Sequence, residues 1–136
     1  MYTVKEVAAR VGMSEHTIRF YTDKGLIPAV RRGKNNVRLF DEEAVNWLTG
    51  VRYLKESGLP LDAVRRYVEL CLEGDATIPA RHEIIVRPRE QARLQLEEAR
   101  KKLAFLERKA AIYEETMQKN LPDSLNPALW AVASAG

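Results

Sequence analysis

Polar side chains able to contact a nucleic acid lie together in one short stretch near the N-terminus. Ser14, Glu15, His16 and Thr17 are consecutive, and Arg19 follows two residues later. Hydroxyl and imidazole groups hydrogen-bond phosphates or base edges, a carboxylate accepts from the amino groups of base edges, and an arginine fork fits a guanine edge or a phosphate. If these residues open a helix, its N-terminus also favours an approaching phosphate. The stretch therefore predicts a helix that contacts a nucleic-acid groove.

Positive charge is concentrated in the same part of the chain. The whole sequence has a formal net charge of only +3, but residues 1–40 contain eight bases and three acids. Residues 59–136 are neutral, with twelve charges of each sign. Five of the bases lie from Lys24 to Arg38, and no acid lies among them. Such a stretch suits a polyanionic partner, because a solvated face normally mixes both signs.

The sequence predicts no catalytic, metal or disulfide site. His16 and His82 fall in separate elements, and Cys71 is the only cysteine. One thiol per chain forms neither an internal disulfide nor an all-cysteine zinc site. No apolar run approaches the roughly 20 residues of a membrane span, and Lys5 and Glu6 interrupt the stretch where a signal peptide would be apolar. We therefore expect a soluble, cytoplasmic protein without a cofactor, enzymatic activity or membrane association.

Two short helices joined by a tight turn are predicted to position the polar stretch. The first covers residues 3–11 and opens with a capping-box pattern, and the second covers residues 14–24 and ends at Gly25. This spacing is typical of a helix-turn-helix. Of the pair Phe20 and Tyr21, one ring is expected in the core, and a phenol is available for the backbone of a duplex.

After Gly25 the helical period stops, and a basic β-hairpin is predicted. Residues 29–32 and 37–40 can pair as short strands across residues 33–36, which are rich in turn formers. A hairpin in this place would form a wing beside the helix-turn-helix. Its basic residues are Arg31, Arg32, Lys34 and Arg38.

Two further helices complete an N-terminal domain that we predict over residues 1–75. Asp41 caps a helix that ends at Ser57-Gly58, and Pro60 opens another that runs to about Glu73. Their apolar faces are predicted to comprise Val45, Trp47, Leu48, Val51, Leu54, Leu61, Val64, Val68 and Leu72. Residues 74–79 are predicted to form a loop.

The strongest periodic pattern predicts a long helix over residues 80–119. Its apolar residues alternate spacings of four and three: Ala92, Leu96, Ala99, Leu103, Leu106, Ala110, Tyr113 and Met117. A long helix with so narrow an apolar stripe needs a partner helix, most simply from a second copy of the chain. The alternative is that the long helix packs back on its own N-terminal domain. Pro88 is expected to kink the helix or mark its first turn. Residues 120–136 lack a period and are predicted to form a tail.

The ordered motifs of about the first 70 residues resemble the MerR-type transcriptional regulators. The motifs are Thr3-Val4-Lys5-Glu6-Val7-Ala8, Thr17-Ile18-Arg19-Phe20-Tyr21, Gly25-Leu26-Ile27, Val37-Arg38-Leu39-Phe40 and Leu54-Lys55-Glu56-Ser57-Gly58-Leu59-Pro60-Leu61. The resemblance implies a mainly α-helical fold. It consists of a winged helix-turn-helix DNA-binding domain followed by a long dimerisation helix in an antiparallel coiled coil.

The same resemblance implies a function. Such a homodimer binds an inverted repeat in a promoter and controls transcription by distorting double-stranded DNA, so that RNA polymerase is affected indirectly. An effector is typical of the family, but this sequence does not identify one. The residues implied to contact DNA are Ser14, His16, Thr17, Arg19, Tyr21, Arg31, Arg32, Lys34, Arg38 and Lys55.

Two other functions remain open from the sequence: a coiled-coil adaptor or antitoxin-like module that binds a protein, and a thiol or electrophile sensor that uses Cys71. Residues 67–81 with Lys109 and Tyr113 resemble the short subgroup that includes aldehyde-stress regulators, but the reactive cysteine of that subgroup is missing from residues 51–54. The cysteines of the metal-sensing members are missing as well. We expect Cys71 to be a buried, unreactive thiol on an apolar helix face.

Overall fold

The computed structural model describes residues 1–131. The fold is mainly α-helical. In chain order its elements are α1 Val4–Val11, α2 Glu15–Asp23, β1 Arg31–Arg32, β2 Arg38–Leu39, α3 Glu42–Glu56, α4 Leu61–Glu73 and α5 Ile78–Lys119. Short 3-10 turns cover Lys34–Asn36, Asp75–Thr77 and Pro127–Leu129. The chain divides into two compact units, Met1–Arg89 and Glu90–Gly136.

The two helices of the predicted helix-turn-helix are confirmed, and their caps explain their bounds. The Thr3 hydroxyl accepts the Glu6 amide at 3.3 Å, and the Glu6 carboxylate accepts the Thr3 amide at 3.1 Å. Gly12 ends α1 with a φ of 70°, a left-handed conformation that favours glycine. Ser14 begins α2, because its hydroxyl accepts the Thr17 amide at 3.1 Å.

The predicted hairpin is confirmed, but its strands are shorter than expected. β1 and β2 are antiparallel, with Arg31 opposite Leu39 and Arg32 opposite Arg38. The first predicted strand cannot begin at Ala29, because that residue has a φ of 69° and is not extended. The wing is therefore a two-residue ladder closed by the 3-10 turn over Lys34–Asn36.

The far end of the second predicted strand pairs with the N-terminus instead of with β1. The amide of Tyr2 donates to the Phe40 carbonyl at 2.7 Å, and the amide of Phe40 donates to the Tyr2 carbonyl at 2.8 Å. The phenol of Tyr2 donates to Glu42 at 2.7 Å, and Arg10 donates two hydrogen bonds to the same carboxylate at 2.7 and 2.8 Å. These bonds, chiefly those from Arg10, lower the pKa of Glu42.

One hydrophobic core holds α1 to α4 and the base of the wing together. Most of the predicted positions on α3 and α4 lie in it or pack against it, but Leu72 was wrong: it is 62% exposed. Leu70 is buried in its place, apart from the main core and next to the start of α5. The core residues are Val4, Val7, Ile18, Tyr21, Leu26, Ile27, Phe40, Ala44, Val45, Leu48, Val51, Leu59, Val64 and Val68.

The segment predicted as a loop between α4 and α5 is a hydrogen-bonded corner, and α5 begins two residues earlier than expected. The Thr77 hydroxyl lies 2.6 Å from the Leu70 carbonyl oxygen and 2.7 Å from that of Gly74. Arg81 then donates to the Thr77 hydroxyl at 3.1 Å and to the Gly74 carbonyl at 3.3 Å. These bonds satisfy the carbonyls at the end of α4, so the chain turns directly into the next helix.

α5 continues through Pro88, so this proline does not mark the first turn. After α5, the Asp123 carboxylate accepts two backbone amides, and the Trp130 indole donates to the Ser124 carbonyl at 3.1 Å. The start of the predicted tail is thus a capped turn, with Trp130 56% exposed. Residues 132–136 of that tail lie outside the described residues.

A candidate nucleic-acid interface

The first turn of α2 presents the polar side chains that the sequence assigned to a groove. Ser14 and His16 are exposed, and Thr17 is half-buried. Besides accepting the Thr17 amide, the Ser14 hydroxyl donates to the Thr17 hydroxyl at 2.8 Å. The two hydroxyls are thereby fixed relative to the helix, a condition for recognising an edge of fixed geometry.

Further along α2, the ring of the pair Phe20 and Tyr21 that lies in the core is the tyrosine, so its phenol is not presented to DNA. Tyr21 is 8% exposed in the core, whereas Phe20 is 41% exposed beneath the Lys24 ammonium. Tyr21 faces inward because it lies one helical turn from the fully buried Ile18. Burial, with a smaller contribution from the Glu56 charge, raises the pKa of Tyr21. The predicted contact between Tyr21 and DNA stays a prediction, and only the small exposed part of the residue could make it.

Two arginines of the interface are paired with acids of α2. Arg19 approaches Glu15 at 3.4 Å, and both side chains are about half exposed, so the pair is weak. Arg38 forms an ion pair with Asp23, and its own side chain is only 15% exposed. The Arg38 pair therefore fastens the wing to the last turn of α2.

The remaining basic residues of the wing are accessible to solvent. Arg31, Arg32 and Lys34 are exposed, and the Arg32 guanidinium donates to the Asn36 carbonyl at 3.0 Å. Lys55, the residue expected to contact phosphate from a second wing, is half-buried and donates to the Leu59 carbonyl at 3.1 Å. Lys55 thus supports the connection between α3 and α4, and its contact with DNA stays a prediction.

A cavity of about 420 Å³ lies where α1, α2 and the wing meet. Four basic side chains from these three elements line it, together with one carboxylate. The charged lining residues are Lys5, Glu15, Arg19, Arg32 and Arg38. The structure thus brings three of the predicted DNA contacts together around one basic recess.

Lys5 and Asp23 were not predicted from the sequence to belong to this site. In the sequence, each of these two residues contributes only to the count of charges. For Lys5 the reason is that no local pattern connects residue 5 with the wing. The pairing of Tyr2 with Phe40 makes that connection, since it sets the start of α1 beside the end of β2. Asp23 could have been noticed as the acid that immediately precedes the basic stretch.

The apolar stripe of α5 is exposed in the single chain. None of its residues is buried, and the three alanines Ala92, Ala99 and Ala110 are exposed. The exposed fractions of the large members are Leu96 58%, Leu103 55%, Leu106 59%, Tyr113 45% and Met117 73%.

Other chemistry is sparse in the part of the chain that the structure describes. No group of His, Cys, Asp and Glu side chains within residues 1–131 could hold a metal ion. Cys71 is half-buried, so the expectation of a buried thiol was wrong, and its sulfur lies 3.8 Å from a guanidinium nitrogen of Arg81. None of the helices within residues 1–131 has the length and apolar composition of a membrane span.

The exposed turn of α2 beside a basic wing defines a winged helix-turn-helix transcriptional regulator. Residues 2–71 match the family described as "MerR HTH family regulatory protein". The chain therefore belongs to the MerR family of DNA-binding transcriptional regulators.

Similar proteins support the same assignment. An HTH-type transcriptional regulator of Haemophilus influenzae is 32% identical over 84% of each chain, and the regulator AdhR of Bacillus subtilis is 34% identical over 65% of this chain and 63% of its own. Among solved structures, HiNmlR is described as a MerR family regulator lacking the sensor domain, bound to promoter DNA. It has a TM-score of 0.73 and 31% identity, and the match covers 88% of this chain and 91% of HiNmlR. A putative MerR family regulator from Listeria monocytogenes has a TM-score of 0.77 and 29% identity over the same shares.

Proposed function

We propose that this chain acts as a homodimer that binds an inverted repeat within a promoter and controls transcription by distorting the DNA. The observation that carries the proposal is the basic cavity between α1, α2 and the wing, because three elements bring like charges together there. Clustered like charges repel one another unless a polyanion neutralises them. The DNA-bound state of the similar regulator HiNmlR supports the same partner.

In this proposal the two parts of the interface have different roles. Ser14, His16 and Thr17 enter the major groove at the start of α2, where short polar groups reach base edges. The exposed wing residues Arg31 and Lys34 contact phosphates, which sets the orientation on the duplex without reading its sequence.

The apolar stripe on α5 supports dimerisation because the spacings between its residues, alternately four and three, are the same from either end of the stripe. Two antiparallel copies can therefore match each other along its whole length. In an antiparallel pair with the two-fold axis between Leu103 and Leu106, each of these leucines faces the other in the partner. The same register sets Ala99 opposite Ala110, where small residues allow the helices to approach closely. The outer pairs in this register are Leu96 with Tyr113 and Ala92 with Met117.

Two binding domains joined in this way fix the separation of two half-sites. A duplex whose half-sites do not match that separation must bend or twist, and the deformation energy depends on its sequence. RNA polymerase is then affected through the geometry of the promoter, without a direct contact from this chain.

Genome-wide capture of bound DNA, followed by binding assays on the captured sequences, tests the proposal. We expect the captured fragments to share an inverted repeat, a single half-site to bind more weakly, and Arg19→Ala to weaken binding while leaving the dimer intact. Lys102→Gln, which removes an exposed positive charge of α5, serves as the control. Capture of fragments with no shared repeat, or duplex binding that is insensitive to salt, would favour a protein-binding adaptor instead.

A further inference from the structure

The cavity between α1, α2 and the wing has the charge pattern of an anion site. Lys5 from α1, Arg19 from α2 and Arg32 from the wing line it, so its positive charges come from three separate elements. Arg38 lines it too, but this side chain is 15% exposed and paired with Asp23. Arg38 is therefore part of the wall. Arg19 contacts Glu15 and Arg32 donates to the Asn36 carbonyl, but a guanidinium has five N–H donors, so both can bind a ligand together with Lys5.

Among the described residues that line this recess, Glu15 is the only acid. Its carboxylate lies 3.4 Å from the Arg19 guanidinium, one helical turn away on α2. Carboxylate and phosphate oxygens make the same kind of charge-assisted hydrogen bond to a guanidinium. In the free protein, Glu15 therefore occupies the interaction with Arg19 that an entering phosphate would make.

We propose that this cavity seats one phosphate group of the DNA backbone, held by Lys5, Arg19 and Arg32, and that Glu15 competes with this phosphate for Arg19. This inference rests on the proposed function, since it requires that the chain binds DNA. It adds Lys5 to the interface and gives Glu15 a regulatory part. Because Glu15 opposes phosphate at every DNA sequence, it lowers affinity for non-specific duplex and leaves discrimination to the base contacts of α2.

Salt-dependent binding to a random-sequence duplex of about 20 base pairs tests the proposal, because that probe measures phosphate contacts alone. The full chain, Lys5→Gln, Glu15→Gln and the control Lys102→Gln are titrated by fluorescence anisotropy at several salt concentrations. We expect Lys5→Gln to reduce the slope of log K against log salt by about 0.9 per protomer and so by about 1.8 for the dimer, which is about a 60-fold loss of affinity at 0.1 M salt. We expect Glu15→Gln to bind more tightly by roughly two- to fivefold per protomer, the range of one exposed ion pair, and the two protomers of the dimer multiply this effect.

Each contrary result has a distinct meaning. If Lys5→Gln and Lys102→Gln have the wild-type slope, the phosphate seat is overturned. If Glu15→Gln binds more weakly, the carboxylate contacts a base or positions Arg19, and the competition is overturned. Stabilisation by inorganic phosphate that depends on Lys5, without a change in the DNA slope, would identify a free-anion site instead. Absence of duplex binding by the wild type would overturn the proposed function itself, and circular dichroism establishes that the variants are folded.

Discussion

Leu103→Ala tests the dimer at the place where the proposed two-fold axis crosses α5. Leu103 is 55% exposed in the single chain, and complete burial of a leucine stabilises by about 1.5–3 kcal/mol. A partner that covers the exposed half contributes about 1 kcal/mol per copy, and the two-fold axis doubles this to about 2 kcal/mol. Because 1.4 kcal/mol is a tenfold change, we expect the dimer Kd to rise roughly 30-fold.

Sedimentation equilibrium over a range of protein concentrations measures this Kd, and α5 offers a matched control. Leu94 is 68% exposed on the same helix, but it lies nine residues from Leu103 and therefore on the opposite side. Leu94→Ala removes the same atoms and is expected to leave the Kd unchanged. Equal Kd values for the two variants, or a larger effect of Leu94→Ala, would refute the assignment of the stripe to the dimer.

Other substitutions test the core, the caps and the surface network. Phe40→Ala empties a fully buried position, so urea denaturation should reveal a loss of about 3–5 kcal/mol in the free energy of unfolding; a loss under about 1 kcal/mol would contradict its place in the core. Ser14→Ala removes the cap of α2 and should cost about 1 kcal/mol, measured in the same way, with weaker duplex binding; wild-type stability and affinity would show that this cap is dispensable. Glu42→Gln should destabilise the fold near neutral pH, since the pKa of Glu42 is lowered by Arg10 from an ordinary value of 4.5. The extra stability of wild type over this variant should be complete above the ordinary pKa of 4.5 and should disappear as pH falls through the lowered pKa of Glu42. A difference in melting temperature that does not change with pH would refute this prediction. Wild type and Cys71→Ser should bind DNA equally in gel shifts, with or without an electrophile, and a wild-type response that the variant lacks would establish thiol sensing.

Local features of the fold were predictable from the sequence because they depend on neighbouring residues. Thr3, Ser14 and Asp41 each accept an amide three residues ahead, and the pattern of residue types specifies that bond. The heptad spacing of α5 similarly specifies a helix. Helix caps and heptad spacings both depend on residues that are close together in the sequence. No contact with a distant part of the chain is needed to form the local structure that they specify.

Features that depend on distant partners were missed or misassigned. Leu70 and Leu72 both fit an amphipathic helix, but only Leu70, whose carbonyl accepts the Thr77 hydroxyl ahead of α5, is buried. Likewise, Lys5 belongs to the candidate interface because Tyr2 pairs with Phe40, which no local spacing specifies. The residue types of the interface were therefore predictable, whereas the cavity that unites them was not.

The pairing of Tyr2 with Phe40 also constrains the order of events during synthesis. Tyr2 leaves the ribosome before Phe40, but both of its backbone hydrogen bonds need this partner, which is translated 38 residues later. α1 and α2 have local caps and can form while the chain is still emerging, whereas the wing can be fastened only after residue 40 has cleared the exit tunnel. Until then, the basic residues of the wing remain on an unanchored nascent chain.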